Sequence, residues 1–417
     1  MRILVVAIGS TGDVAPYLGL GQQLTRRGFD VTVATHRSFQ PMVEDAGLGY
    51  AFVPTEPREW VSDEIGERLR RGPRSAAAAL ADTFGPSASA IADAVDSACD
   101  GADHVLLSAM AWTGVHSADA RGLPSAGVHL QPLEPTAAFA PPVAGVRSLG
   151  AILNRALGRR GQTMMVAPYM EAANAVRAKH GLPAITARQH LSNLRDRDWP
   201  VWHGFSDAVV PRPRDWRPAL KVVGYWWPPA PRGWAPDHGL VDFLEAGPRP
   251  IYVGFGSTLP APADVMQELL REISRRLGVR IVVQAGWLGL EIDDEMIRTV
   301  GEIPHAWLFP RVRAAVHHAG AGTSAAALRA GIPSVPIPVA LDQPFWAGRL
   351  HRLGAATRPV PANRLTADHL TRAVHRVLDD GSVARGAARL GDRIARDRGG
   401  DAVAELLAAP VLRRGTT

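Results

Sequence analysis

Short apolar runs alternate with longer stretches whose apolar residues recur at three- and four-residue spacing. In the first half, five runs predict β-strands: Ile3–Ala7, Val31–Ala34, Tyr50–Val53, Val105–Ser108 and Ala126–Leu130. Helices are predicted from about Ala15 to Arg27, where Gly28 is placed to end the helix, and from Trp112 to Ala120. Short apolar strands separated by amphipathic helices are typical of a parallel sheet covered on both faces.

The same alternation starts again near residue 250. Four further strands are predicted at Pro250–Val253, Arg280–Val283, Ala314–His317 and Ser334–Pro338. Helices are predicted at about Ala263–Leu277, Ser324–Ala330 and Phe345–Leu353. The fold class is therefore α/β, with two doubly wound Rossmann-like domains. Their loops leave the carboxyl ends of the strands, so a central cleft is expected between them.

Proline marks the expected boundaries between these parts. The pattern at residues 135–198 predicts a helical insertion marked by prolines, of the kind that shapes a substrate cleft. Pro211–Asp215 is predicted to be an interdomain linker. We predict an N-terminal domain at 1–213 and a C-terminal domain at 214–395. Residues 396–417 carry a last helix, near Ala402–Leu407, that could cross back to the first domain.

Length and composition fit this organisation. A chain of 417 residues, 46% of them hydrophobic, has the material for two cores of roughly 200 residues each. The single cysteine, Cys99, excludes an internal disulfide framework and a cysteine-based zinc site.

The net charge of +6 raises the question of nucleic-acid binding. The densest basic patches, Arg68–Arg71 and Arg155–Arg160, lack interleaved aromatic residues and read as solvated helix faces. No apolar run approaches the roughly 18–20 residues that span a bilayer, and the chain begins with a strand. We expect a cytoplasmic protein without nucleic-acid partners, and the arginine and alanine richness is typical of a bacterial coding sequence.

A His-x-Gly-x-Gly turn joins a predicted strand to a predicted helix. Gly320 and Gly322 remove side chains where a phosphate approaches the backbone, and His318 and Thr323 add hydrogen-bond donors. A helix N-terminus carries roughly half a positive charge, which favours a diphosphate. If this turn is considered alone, phosphate binding is only slightly favoured over a glycine-rich turn that binds no ligand.

Two further segments favour a nucleotide-linked sugar. Gly254–Thr258 also follows a strand, and Gly256 and Ser257 are placed to reach the same phosphates. Asp342 and Gln343 can accept from and donate to several sugar hydroxyls. Each segment alone could be a tight turn or a helix cap, but all three in this order indicate a donor site.

These segments resemble the donor signature of glycosyltransferase family 1, above all the bacterial natural-product enzymes of the vancomycin type and the sterol glucosyltransferases. The matching stretches are GSTGDVAPYLGLG from residue 9, SDAVVPRPRDWRPALKVVGYWW from 206, IPHAWLFPRV from 303, HHAGAGT from 317 and DQPFW from 342. The resemblance implies a GT-B fold, in which the domain at 1–213 binds the acceptor and the domain at 214–395 binds the nucleotide sugar. It also implies inversion at the anomeric carbon, a UDP- or dTDP-sugar as cosubstrate, and neither a cofactor nor a metal.

The resemblance also implies roles for individual residues. Diphosphate contacts are expected from His318, Gly320, Ala321, Gly322 and Thr323, together with Gly256 and Ser257. Asp342 and Gln343 would hold the transferred sugar, Ile303 would meet the base through its main chain, and His305 would lie near the ribose. Plant members place a stacking tryptophan where Glu302 stands here, so the residue that stacks on the base is left open.

Asp13 is the candidate catalytic base, because it follows the first strand and opens the first helix. An unperturbed aspartate has a pKa near 4, so proton removal would have to accompany attack by the acceptor. The competing interpretation is a helix cap, and Ser10 could orient the carboxylate. Ser10, Trp112 and Phe139 are the candidate acceptor residues. With Met164, Met165 and Tyr169 they suit a lipophilic acceptor, although core packing competes for each.

The sequence thus predicts an inverting glycosyltransferase that moves a sugar to a hydroxyl of a polyketide, macrolide, terpenoid or sterol-like acceptor. A non-catalytic auxiliary homologue is the first alternative. A dinucleotide-dependent oxidoreductase is the second, although Gly9–Gly12 lacks the full G-x-G-x-x-G pattern and Asp30 is a weak match for its acid. The sequence leaves open whether the protein is a monomer or a homodimer.

Overall fold

Two parallel sheets organise the part of the chain that the computed structural model describes, residues 1–60, 65, 67–68, 71, 73–146, 148–257, 259–287 and 289–409. The first sheet has the order β3-β2-β1-β4-β5-β6-β7. Its strands are β1 (Arg2–Val6), β2 (Asp30–His36), β3 (Gly49–Val53), β4 (His104–Leu107), β5 (Ser125–His129), β6 (Val201–His203) and β7 (Leu220–Val222).

The second sheet has the order β10-β9-β8-β11-β12. Its strands are β8 (Ile251–Gly254), β9 (Ile281–Gln284), β10 (Ile297–Val300), β11 (Ala315–His317) and β12 (Ser334–Pro336). The pairings within both sheets are parallel. Two parallel-sheet α/β domains are the predicted fold class, which is confirmed.

Helices connect the strands in each domain. Those of the first domain are α1 (Thr11–Arg26), α2 (Gln40–Asp45), α3 (Pro73–Phe84), α4 (Ala88–Ala98), α5 (Gly114–Ala120), α6 (Ala151–Val166), α7 (Met170–Lys179) and α8 (Ala187–Asp196). The second half of the chain adds α9 (His238–Glu245), α10 (Ala263–Leu277), α11 (His305–Leu308), α12 (Ala321–Arg329), α13 (Gln343–Arg352), α14 (Ala367–Asp379), α15 (Gly381–Ile394) and α16 (Gly400–Ala408).

The expected strands and helices are present, with shifted ends. The first helix begins at Thr11 rather than Ala15, because Ser10 serves as its N-cap. Helix α12 begins at Ala321 rather than Ser324, because the chain already turns helical after Gly320. Strands β6, β7 and β10 were missed. Strands β7 and β10 interrupt their apolar residues with Lys221 and with Arg298 and Thr299, and β6 follows Pro200 at the end of the proline-marked segment.

The first sheet continues past residue 213, where the sequence placed the domain boundary, because β7 pairs with β6. We therefore propose that the first domain extends through β7. Helix α16 returns to this domain, where Val403, Ala404 and Leu407 join a buried cluster with Tyr17 of α1. Thr258, Leu69, Arg70 and residues 410–417, which entered the sequence expectations, lie outside the described residues.

The two domains share apolar packing as well as a cleft. One buried cluster runs from the first sheet through Phe205 and Trp346 to Leu328 of α12 and Leu390 of α15. Among the described residues, no helix is both long enough and apolar enough to cross a bilayer.

Candidate active site

The loop after β1 brings Asp13 to the carboxyl end of the first sheet. Gly9 has φ +135°, and a Cβ there would lie 2.7 Å from Asp13 Oδ2, so only glycine leaves room for the carboxylate. The N–H of Gly9 donates to His36 Nε2 at 3.2 Å. The His36 Nδ1–H in turn donates to the Thr55 carbonyl at 2.9 Å. His36, at the end of β2, therefore fixes this loop from a neighbouring strand.

Asp13 is held by Ser10. The backbone N–H and the hydroxyl of Ser10 donate to Asp13 Oδ2 at 3.0 and 2.9 Å. Burial raises the pKa of Asp13, and the two bonds from Ser10 oppose that rise. The capping interpretation of Asp13 is thus partly right, but Oδ1 has no hydrogen bond from the described residues. A carboxylate with a raised pKa and a free oxygen is suited to accept a proton.

The His-x-Gly-x-Gly turn is shaped by a histidine that the sequence argument did not use. Ala319 adopts a left-handed conformation with φ +65°, and its N–H donates to His317 Nδ1 at 3.1 Å. His317 Nε2 lies 3.0 Å from Ser334 Oγ of β12. The fully buried His317 therefore ties the strained turn to the adjacent strand. His317 could have been found from the sequence, because it stands directly before His318 in HHAGAGT.

The imidazole of His318 occupies space left by two glycines. A Cβ on Gly320 would overlap the ring, and one on Gly256 would lie 3.4 Å from His318 Cε1. Burial lowers the pKa of His318 to about 4, so the ring is neutral at pH 7. The structure thus brings together Gly256, His318 and Gly320, three residues from two loops that were predicted to bind the nucleotide sugar.

The start of α12 offers unpaired backbone donors. The Ser324 N–H makes the first helical bond, to the Gly320 carbonyl at 3.0 Å. The preceding N–H groups of Ala321, Gly322 and Thr323 have no helical acceptor, as in the first turn of any helix. With the ring of His318 beside them, these donors form an arrangement suited to a phosphate.

Asp342 and Gln343 lie at the N-terminus of α13. Trp346 Nε1–H donates to Asp342 Oδ2 at 2.7 Å. Gln343 Oε1 accepts from the N–H groups of Val339 and Ala340 at 2.7 and 3.1 Å, which leaves its amide nitrogen to donate. Trp346 was missed as a partner, although its spacing of four residues from Asp342 places it on the same face of a helix.

The candidate base and the predicted sugar-binding acid come from opposite domains, Asp13 from α1 and Asp342 from the start of α13. Burial raises the pKa of Asp342 to about 6, and the negative charge of Asp13 adds to that rise. The charge of one carboxylate therefore acts on the other across the two domains.

The residues predicted to contact the base and the ribose lie at and just before the start of α11 in the second domain. His305 begins α11, stacks on Phe309 with ring centroids 4.4 Å apart, and has Nε2 3.3 Å from the Tyr252 hydroxyl. Ile303 packs against the cluster that contains Tyr252. Glu302 is exposed. Neither aromatic contact of His305 was expected from the sequence.

An apolar cavity lies in the first domain. Ile8, which precedes Gly9, lines it together with Trp112, Met165 and Tyr169. Asp13 and Met164 are not among the lining residues. Phe139 is not a lining residue. Its ring packs on Phe345 of α13 at 5.3 Å, so it contacts the donor side of the cleft instead. Ser10 bonds to Asp13 and is likewise not among the lining residues.

The described residues include no group of three or more His, Cys, Asp or Glu side chains placed to hold a metal ion.

Comparison with known proteins identifies the class of protein. Residues 3–90 match the glycosyltransferase family 28 N-terminal domain, and residues 281–409 match the C-terminal domain described as erythromycin biosynthesis protein CIII-like. The chain is 35% identical over 409 residues to the O-mycaminosyltylonolide 6-deoxyallosyltransferase of Streptomyces fradiae, covering 96% of this chain and 95% of that one. The chain belongs to the natural-product glycosyltransferase family. It is an enzyme of that class.

Two further similarities agree with this assignment. The glycosyltransferase is 30% identical to a sterol 3-beta-glucosyltransferase of Arabidopsis thaliana, across 91% of this chain and 61% of that longer one. The crystal structure of glycosyltransferase SsfS6 from Streptomyces sp. SF2575, complexed with thymidine diphosphate, superposes with a TM-score of 0.63. That pair shares 21% identity and covers 98% of this chain and 99% of that one, which shows the GT-B fold.

Proposed function

We propose that this glycosyltransferase moves a sugar from a UDP- or dTDP-sugar to a hydroxyl of a lipophilic natural product, with inversion at the anomeric carbon. The observation that carries the proposal is the turn at residues 318–323, where the ring of His318 packs against Gly256 and Gly320 at the N-terminus of α12. The effect of the Asp13 charge on Asp342, from the other domain, supports it. The relatives that act on a macrolide derivative and on sterols support a bulky apolar acceptor.

The diphosphate binds at the N-terminus of α12. The free N–H groups of residues 321–323 and the ring of His318 stabilise the charge that develops on the leaving group. Gly256 and Gly320 keep the ring of His318 close to the backbone donors, and Ser257 and Thr323 supply hydroxyls. Asp342 and the amide of Gln343 orient the sugar, while Ile303 and His305 contact the nucleoside.

Asp13 removes the proton from the acceptor hydroxyl as its oxygen attacks the anomeric carbon. Burial makes this carboxylate a stronger base than an exposed aspartate, and Ser10 keeps Oδ2 in place so that Oδ1 faces the acceptor. The cavity lined by Ile8 and Trp112 holds the apolar body of the acceptor, so its hydroxyl emerges next to Asp13.

Asp13→Asn tests the assigned base. The amide keeps an oxygen for the bonds from Ser10 but cannot take a proton, so turnover should fall by about 10²- to 10⁴-fold. Binding of the preferred nucleotide sugar, found with a thermal-shift panel of UDP- and dTDP-sugars, should be unchanged. Turnover is measured as release of the nucleoside diphosphate in the presence of an accepted lipophilic alcohol.

Asp30→Asn is the matched control. Asp30 is exposed at the start of β2, away from the cleft, so this variant should turn over normally. Near-normal turnover by Asp13→Asn would exclude Asp13 as the base. Dependence on Asp30 together with NADH binding would instead point to the oxidoreductase alternative. Undiminished activity in excess EDTA is expected, since the proposed chemistry uses no metal.

A further inference from the structure

Glu134 introduces a negative charge into the apolar cavity of the first domain. It lies in the loop after β5, and it is the sole formally charged side chain among the described residues lining this cavity. Lysine and arginine are absent from that lining set. Burying a carboxylate in apolar surroundings is costly unless a partner compensates it, so its presence here needs a physical reason.

The neighbouring protein groups compensate this charge only in part. Gln162 of α6 donates a hydrogen bond to Glu134, and Arg217 and Arg195 lower its pKa, but burial outweighs them and the pKa stays raised. The Arg217 guanidinium is already engaged, since its Nη1 donates to Asp198 Oδ1 and to the Trp199 carbonyl at 2.9 and 2.5 Å. Arg195 is exposed.

The other titratable groups of the lining favour a cation rather than an anion. Burial lowers the pKa of both His129 and His190 to about 4, so neither ring carries a positive charge at pH 7. Burial raises the pKa of Tyr169, which stays neutral. The indole ring of Trp112 and the ring of Tyr169 offer the electron-rich faces that attract ammonium groups.

Glu134 is also held in position by its loop. Thr136 Oγ1 and the Ala137 N–H donate to Asp215 at 2.7 and 2.8 Å, and Arg155 of α6 donates to the same carboxylate at 2.9 Å. Gly158 of α6 packs directly on Pro135, since a Cβ there would lie 2.9 Å from Pro135 Cα. The carboxylate is therefore presented by a rigid loop, as a binding group should be.

We propose that Glu134 is a specificity-determining residue that binds a protonated amine on the acceptor, at a point remote from the hydroxyl that receives the sugar. The acceptor is then an apolar molecule with two polar groups. Its hydroxyl lies beside Asp13, and its ammonium group lies against Glu134 and the rings of Trp112 and Tyr169. This inference rests on the proposed function, because it assumes that the cavity is the acceptor site.

A matched pair of probes tests the charge directly. The probes are two steroids that differ only in carrying a dimethylamino or a hydroxyl group at the same ring carbon. Binding to the full chain, saturated with thymidine or uridine diphosphate, is followed by quenching of tryptophan fluorescence, because Trp112 and Trp199 line the cavity. The amine should bind about tenfold more tightly than the alcohol, and Glu134→Gln should abolish that difference.

Glu245→Gln is the matched control, since it removes the same charge from an exposed position at the end of α9 in the other domain. It should keep the preference for the amine. Equal binding of both probes to the unmodified enzyme would overturn the inference. So would a Glu134→Gln variant that weakens both probes alike, because Glu134 would then accept a hydrogen bond from a neutral group.

The same samples separate this inference from the proposed function. Donor turnover without any preference for the amine would overturn the role of Glu134 alone. Preference for the amine that Glu134→Gln abolishes, in an enzyme that turns over no nucleotide sugar, would uphold the amine site and overturn the proposed transfer.

Discussion

At the scale of single residues, the candidate site holds groups that function requires and stability does not favour. Asp342 is the clearest case, because its carboxylate is partly buried, receives one hydrogen bond from Trp346 and lies near the negative charge of Asp13. Its pKa is raised to about 6 because burial makes the ionised form less favourable in the folded protein. A sugar with several hydroxyls would supply further hydrogen-bond donors to this carboxylate.

Asp342→Asn should therefore stabilise the protein while removing transfer. The folded state binds a proton on Asp342 more tightly than the unfolded state, so the stability that this group contributes is present below pH 4 and is lost as the pH rises through about 6. Asparagine does not ionise, so it loses no stability as the pH rises, and its side-chain oxygen can still accept the hydrogen bond from Trp346. We expect the free energy of unfolding to be about 1–3 kcal/mol higher in the variant at pH 8, with the gain vanishing near pH 4.

Chemical denaturation at pH 4, 6 and 8 measures this difference. Trp346→Phe is a useful comparison, since it removes the hydrogen bond while keeping the acid, and should destabilise at pH 8. A variant Asp342→Asn that is less stable than the unmodified protein at pH 8 would contradict the argument.

At the scale of elements, helix α6 positions the loop that forms one wall of the cavity. Gly158 is buried against Pro135, whereas a Cβ on Gly161, one turn later, would meet nothing within 4 Å. Alanine is favoured over glycine within a helix by up to about 1 kcal/mol at a free position. The two glycines thus have the same helical propensity but different surroundings.

Gly158→Ala should displace the loop at residues 131–139 and raise the KM for the acceptor severalfold, with hydrolysis of the donor unchanged. Gly161→Ala should leave both kinetic constants as they are and raise the melting temperature by a few degrees. Steady-state kinetics and thermal unfolding of the pair provide the check. Equal effects of the two substitutions would show that the contact with Pro135 does not control the loop.

At the scale of the whole molecule, the last helix fastens the end of the chain to the first domain. Leu407 of α16 is 6% exposed and packs in a cluster with residues of β1 and α1. Arg27 donates to Asp401 at 2.8 Å, and the Gly399 N–H, just before α16, donates to the Val223 carbonyl, just after β7, at 2.9 Å. Hydrogen bonds as well as apolar packing therefore fix the end of the chain to the first domain.

Leu407→Ala should loosen the first domain, although the residue follows the second in sequence. Removing a buried leucine costs about 2–4 kcal/mol, so amides of the first sheet should exchange with deuterium faster than those of the second. Glu405→Ala, at an exposed ion pair with Arg398, should change little. Uniform deprotection of both sheets would argue that the domains unfold as one unit.

Local pattern was enough to predict most of the fold. Nine strands, the two parallel-sheet α/β domains and the glycine-rich turn at residues 318–323 follow from short-range periodicity and from glycine placed between a strand and a helix. The same pattern placed Asp13 and Asp342 at the ends of strands. It missed β6, β7 and β10, which depend on neighbouring strands rather than on their own apolar runs.

Sequence by itself thus determined which segments form the site and which residue types they carry. Tertiary structure alone decided how those residues behave: that His36 fixes the Gly9 loop, that Phe139 packs on Phe345 rather than in the cavity, and that Asp13 raises the pKa of Asp342. The physical reason is range. Strand and helix preferences arise within a few residues, whereas burial, charge and packing depend on groups that the fold brings together from distant parts of the chain.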